Sequence, residues 1–173
     1  MDEFNTIQKA ENLFRSVGFV NDTNFIFFSF YDATKQGVTA GLVAGGGAIG
    51  GMIAGAMMGS DGTENEINKR RDGYLLKWTN EGIGIIPLNS AGVWWTFSSA
   101  KLKPDVSSFF FIPYVQIQDI IVKNYNIFNK DIKKIKIILK NNQKLHMIAR
   151  LNEKSVPYQT ENLKKFVELY QRN

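Results

Sequence analysis

Hydrophobic and polar positions alternate along this chain in three rhythms, and each predicts a different element. Between residues 3 and 17, Ile7, Ala10, Phe14 and Val17 recur at helical spacing, with Asp2 as N-cap and Gly18 at C′, which predicts a short amphipathic helix. Residues 25–31 are a continuous aromatic and β-branched run behind the turn residues 21–24, and predict a buried strand. From Gly73 onward the period falls to two. Runs at 73–79 and 83–88 flank Asn80-Glu81-Gly82, where Gly82 is expected to supply the left-handed residue of a three-residue loop. Residues 93–97, including Trp94 and Trp95, predict a third strand, residues 98–107 a longer loop, and residues 109–112 and 117–128 further strands around Pro113.

The clearest hairpin joins residues 133–140 to 144–151 across Asn141-Asn142-Gln143. Its alternation assigns Ile135, Ile137, Leu139, Leu145, Met147, Ala149 and Leu151 to a core face. Lys134, Lys136, Lys140, Lys144, His146 and Arg150 fall on the other. That loop would set Lys140 opposite Lys144 and Lys134 opposite Arg150, like charges that an anionic partner would relieve. A solvated lysine face is the plainer alternative. Leu163, Phe166, Val167 and Tyr170, at i, i+3, i+4 and i+7 behind Pro157, predict a closing helix.

Residues 36–60 break all three rhythms. They carry no charge and hold nine of the chain's fifteen glycines. Gly37, Gly41 and Gly45, then Gly47, Gly51, Gly55 and Gly59, are each four apart, so in helices each series is a smooth ridge for close backbone packing. At roughly 1 kcal/mol per glycine relative to alanine, such helices need a packing partner. Three settings stay open: a membrane-inserted or membrane-associated segment, a water-soluble packed hairpin or self-association element, and a flexible insertion. As one helix the stretch would reach roughly 36 Å, enough to cross a bilayer. Its few strongly apolar residues would contribute only about −2 to −3 kcal/mol to insertion. Gly45-Gly46-Gly47-Ala48-Ile49-Gly50 satisfies the G-x-G-x-x-G pattern, but the following antiparallel-looking strands lack the βαβ context of a dinucleotide turn.

Composition narrows the chemistry. With 173 residues and 44% hydrophobic content there is material for one core and an appendage. The absence of cysteine removes disulfides, thiolate metal sites, iron–sulfur clusters and cysteine nucleophiles. His146 is the sole histidine, so neither a metal site nor a catalytic constellation is recognisable, and the expectation is a protein that is not an enzyme and takes no cofactor. A net charge of +5 favours anionic partners. No nucleic-acid motif accompanies it, so nucleic acid is disfavoured. The acidic, polar first residues do not resemble a targeting peptide, and the expected location is cytoplasmic, peripheral to or inserted at the inner face of the membrane.

Three stretches carry a family resemblance in their order and spacing. Residues 71–78, opening Arg71-Asp72-Gly73-Tyr74, resemble the first strand of pleckstrin-homology-like domains. Ile112-Pro113-Tyr114, with Ile117 and Ile120, resembles a run found in their bacterial and GRAM-type members, and residues 162–167 resemble their closing helix. The likeness covers about residues 69–173 and implies an antiparallel barrel of about seven strands capped by a helix, acting as a non-catalytic platform for lipids or peptides. The loop at 80–82 lacks the basic residues of phosphoinositide-binding members, so no ligand residue is carried over. The expected organisation is an α+β protein with a helix and strand (1–34), a glycine-zipper segment (35–60), a linker (61–72) and a pleckstrin-homology-like domain (73–173). Lys69, Arg70, Arg71, Lys134, Lys136, Lys140, Lys144 and Arg150 are the candidate contacts to lipid or another anionic surface. A second copy of the chain is the other expected partner.

Overall fold

The computed structural model describes residues 3–21, 23, 25–32, 72–90 and 102–171. The glycine ladders of 36–60, the basic cluster Lys69-Arg70-Arg71 and the tryptophan pair Trp94-Trp95 lie outside the described residues. Helix α1 (Ile7–Ser16) is followed by β1 (Ile26–Tyr31), β2 (Gly73–Trp78), β3 (Gly82–Ser90), β4 (Leu102–Pro104), β5 (Phe110–Pro113), β6 (Ile117–Asn124), β7 (Ile132–Leu139), β8 (Lys144–Arg150) and helix α2 (Gln159–Tyr170). The protein is α+β, built on one antiparallel sheet in the order β4-β3-β2-β1-β8-β7-β6, with β5 also paired to β3.

The central position belongs to β1, the strand expected to stand apart from the later ones. It pairs with β2 from Ile26↔Lys77 to Phe30↔Gly73 and with β8 at Phe30↔Ile148 and Tyr31↔Met147. Its unbroken apolar run has a physical cause, because both of its faces are covered. Phe27 points to the inner face, where α2 places Leu163 and Phe166 among Leu76, Ile137 and Met147. Ile26, Phe28 and Phe30 point to the outer face, where they meet Phe4, Ala10 and Phe14 from the N-terminal segment. Tyr31 N–H donates to Asp72 O at 3.3 Å, so the ends of the connection through residues 33–71 sit together at the β1–β2 ladder.

Where β1 and β8 diverge beyond Phe30↔Ile148, side-chain amides of α2 replace the missing ladder. Gln159, fully buried, accepts from Phe28 N–H at 2.8 Å and donates to Phe28 O at 2.8 Å and Arg150 O at 3.0 Å. Asn162 donates to Ile26 O at 2.9 Å. Without them a buried strand edge would hold unpaired backbone groups, each costing about 1–3 kcal/mol.

Helix α1 starts one turn later than the pattern suggests. Its N-cap is Thr6, whose hydroxyl accepts from Lys9 N–H, and not Asp2. It ends as expected at Gly18, whose φ of +76° allows Gly18 N–H to reach Arg15 O and Phe19 N–H to reach Phe14 O, a Schellman closure with Phe14 and Phe19 in ring contact. Gly82 is different from the expectation. It is not left-handed; a Cβ there would lie 2.3 Å from Ile112 O, so glycine is needed for β5 to approach. Thr79 shapes the turn instead, its hydroxyl accepting from Glu81 N–H at 3.1 Å and Gly82 N–H at 3.3 Å.

The β7–β8 hairpin also departs from its expected register. Leu139 N–H donates to Gln143 O, the loop is Lys140-Asn141-Asn142, and Asn142 takes the left-handed conformation with φ of 68°. The strands therefore slide by two residues. Lys134 faces Ile148, Ile138 faces Lys144 and Ile132 faces Arg150, so neither like-charge pair expected from the sequence forms. A slip of two keeps every side chain on its expected face.

Candidate binding surface

The sheet's two halves treat their outer faces differently. Over β1, β2 and β3 the outer positions Phe28, Leu75, Ile86 and Leu88 are buried beneath α1 and the chain before it. Phe109 and Phe111 join this layer at ring distances of 5.5 and 5.3 Å from Phe19. An ion pair sits inside it. Lys77 Nζ donates to Glu11 Oε2 at 2.7 Å and Oε1 at 3.0 Å, with both residues buried, and locks α1 to β2.

Over β6, β7 and β8 the outer positions form rows that run across the strands. The registers align Asp119, Ile138 and Lys144; Ile121, Lys136 and His146; Lys123, Lys134 and Ile148; and finally Ile132 with Arg150. Every row thus combines an isoleucine with at least one basic side chain. Alternation creates this surface, since the partners on the inner side, Ile120, Val122, Ile135, Ile137, Leu145 and Met147, are all in the core. Most of the outer residues are partly buried, and Lys123 and Lys144 are exposed. Arg150 marks the border with the covered half, its guanidinium 5.3 Å from the Phe30 ring.

Of the residues expected to contact an anion, Lys134, Lys136, Lys144 and Arg150 come together on this face. Lys140 lies in the β7–β8 turn, exposed, with its N–H donating to Gln116 O. Charge is concentrated here. Residues 117–151 carry eight lysines and arginines against two aspartates, a net +6, so the rest of the chain accounts for −1 of the total +5. A like-charge pair that sequence reading missed stands at the end of the face, where Lys123 lies directly opposite Lys134. Lys133 points the other way, buried, donating to Asn124 Oδ1 at 2.7 Å and Gln171 Oε1 at 3.2 Å. Burial holds its amine below the usual lysine value, with the nearby Asp131 opposing.

Beyond that pair the β6–β7 connection exposes Tyr125, Ile127 and Phe128, the last two 84% and 97% accessible. The sequence pattern runs a strand to residue 128, but β6 ends at Asn124. Asn126 ends it, its Oδ1 accepting from Phe128 N–H at 3.1 Å and Asn129 N–H at 2.7 Å in an Asx turn. Lys134 Nζ stands 4.6 Å from the Tyr125 ring, which joins the loop to the basic face.

A concavity of about 230 Å³ lies between the end of α2 and the start of β6, lined by Tyr114, Ile117, Asp119, Ile120, Leu169 and Tyr170. Its hydroxyls are used structurally. Tyr170 donates to Tyr114 Oη at 3.2 Å, and Tyr114 donates to Thr79 O at 3.0 Å. Burial and the Tyr170 contact raise the Tyr114 pKa far above that of an ordinary phenol, so its proton is held. Among the described residues no group of three or more His, Asp or Glu side chains gathers as a metal site would require, and no helix is long and apolar enough to cross a membrane. No family model, curated protein or solved structure matches the chain.

Proposed function

We propose that this protein is a non-catalytic binding module of pleckstrin-homology-like architecture that uses the outer face of β6, β7 and β8 to dock on an anionic surface. The carrying observation is that Lys123, Lys134, Lys136, Lys144 and Arg150, against the single Asp119, stand in rows with isoleucine on the half of the sheet that α1 does not cover, within a stretch, residues 117–151, of net charge +6. The strand order, with a C-terminal helix packed on the inner face, supports the architectural part. So does the Ile112-Pro113-Tyr114 turn, which carries the chain from β5 to β6 and binds the β2–β3 turn through Tyr114 N–H to Glu81 O. In this reading the first hairpin is β1–β2, and the glycine-rich residues 36–60 are an insertion within it that adds a membrane contact or a contact to a second copy.

The test is binding to a heparin or anionic-vesicle column by the full chain and by Lys134→Glu/Lys136→Glu. Retention of the wild type and early elution of the variant are expected. Equal elution of the two would remove this face from the function. Fractionation of cells expressing the chain with and without residues 36–60 tests the insertion, whose membrane role is lost if both forms stay soluble.

A further inference from the structure

We propose that the β6–β7 loop is a bilayer-inserting tip, with Ile127 and Phe128 entering the acyl boundary while a collar of Lys123, Lys130 and Lys134 engages anionic lipid headgroups. The proposal rests on the reading of β6–β8 as an anion-docking face and names that surface as a lipid bilayer.

Phe128 is 97% and Ile127 84% accessible, side by side and the most exposed large hydrophobic residues among those described. Adjacent large apolar groups in water are unfavourable in a free protein and become favourable when an apolar phase receives them. They are held outward by structure. The Asx turn at Asn126 fixes the backbone of Phe128 and Asn129, and Tyr125 N–H donates to Ile132 O at 2.8 Å at the base of the loop. A preset tip loses little conformational freedom on insertion.

The surrounding chemistry selects the kind of apolar phase. Lys123 and Lys130 are exposed, and Lys134 lies against Tyr125, half-accessible at 43%, an aromatic suited to the headgroup level. Lys123 and Lys134 are direct cross-strand neighbours, a repulsion that lipid phosphates or carboxylates would relieve. A protein pocket for Phe128 would not call for three lysines, on both flanking strands and in the loop itself, against the single Asp131, whereas an anionic leaflet offers negative charge all round the point of entry. The combination of an apolar tip and a polybasic collar also supplies the two signals that stable peripheral binding requires.

The test uses the full chain and vesicles of phosphatidylcholine with or without phosphatidylserine. Because the chain has no cysteine, Phe128→Cys and Lys136→Cys each accept a single environment-sensitive fluorophore. With phosphatidylserine present, the label at 128 should brighten, shift to the blue and be quenched by lipids carrying a quencher in the acyl chain. The label at 136 should respond weakly or not at all to that quencher. Ile127→Ser/Phe128→Ser should lower the partition coefficient by about tenfold or more, as expected for withdrawing two apolar side chains from lipid.

Equal binding of wild type and the serine double variant would overturn the proposal. If Lys134→Glu/Lys136→Glu still weakened binding in that case, the anionic-face reading would survive without the tip. If neither variant changed binding, both would fall. Retention on heparin with no binding to phosphatidylserine vesicles would overturn the lipid assignment and point to a nucleic acid or acidic protein. A wild-type dimer that Phe128→Ser converts to a monomer, with no vesicle binding, would assign the tip to a second copy.

Discussion

The outer faces of β1–β3 and of β6–β8 belong to one sheet and obey the same alternation, yet α1 covers one and not the other. In the sealed half the outward side chains are phenylalanine, leucine and isoleucine apart from Lys77, which pairs with Glu11, and α1 covers them. In the other half each isoleucine has a lysine, arginine or histidine in its row. A long basic side chain can lay its stem over an apolar neighbour while keeping its charge in water, which makes such a face tolerable when free. The lesson is that an uncovered sheet face becomes informative through what its polar half is. Here it is almost uniformly cationic.

The largest expected effect comes from breaking the seal. Glu11→Ala leaves Lys77 buried without its carboxylate, and removing one partner of such a pair costs about 3–5 kcal/mol. Chemical denaturation should show a sharply lowered midpoint, and adding Lys77→Met should recover much of the loss by removing the stranded charge. A midpoint unchanged in the single variant would mean that α1 does not depend on this ion pair for its position.

The helices, most strand positions and the basic face were legible because periodicity is a local property. Leu163 and Phe166 stand on the inner face of α2 as their spacing predicts, and Lys134 and Lys136 project outward as alternation predicts. Pairings between distant segments were not legible. Glu11 and Lys77 are 66 residues apart, and each sits at an apolar position of its own element, a signal visible in hindsight as a charge placed where a hydrophobe belongs. The central place of β1 had a comparable signal, since a strand apolar on both faces needs a cover on both. The register and the loop tip turned on single asparagines. Asn142 moved the β7–β8 turn, and Asn126 ended β6 early, two effects that hydrophobic patterning alone does not register.

A smaller, pH-dependent effect sharpens the sealed side. Tyr158 donates to Phe4 O at 2.7 Å and so fastens the N-terminal segment to the start of α2. Burial raises its pKa above the ordinary 10.0, as burial and Tyr170 do for Tyr114. Both phenols stay protonated in the folded chain when the unfolded chain would ionise. Their contribution is therefore intact below about pH 10 and is lost as pH climbs from there toward the raised folded values. Urea midpoints measured across about pH 8 to 11 should fall more gently for Tyr158→Phe than for the wild type, although the variant starts about 1 kcal/mol lower from the missing hydrogen bond. Parallel curves would show that the phenol at 158 ionises as readily in the folded chain as in the unfolded one.

The smallest expected effect is on the open face, and its smallness is the point. Lys136→Ala removes a partly exposed side chain flanked across the strands by Ile121 and His146, with neither neighbour left as an unpaired buried charge. Surface substitutions of this kind stay within about 0.5 kcal/mol, and the loss of one positive charge offsets part of the lost packing. Thermal melts of Lys136→Ala and of the wild type should therefore coincide to within a few degrees. A loss as large as that at Glu11 would mean that Lys136 is a structural residue with a buried partner, and the contrast between the two outer faces would fail. A silent change, set beside the collapse expected of Glu11→Ala, would leave the cationic rows without a folding role, which is what the proposed docking face requires of them.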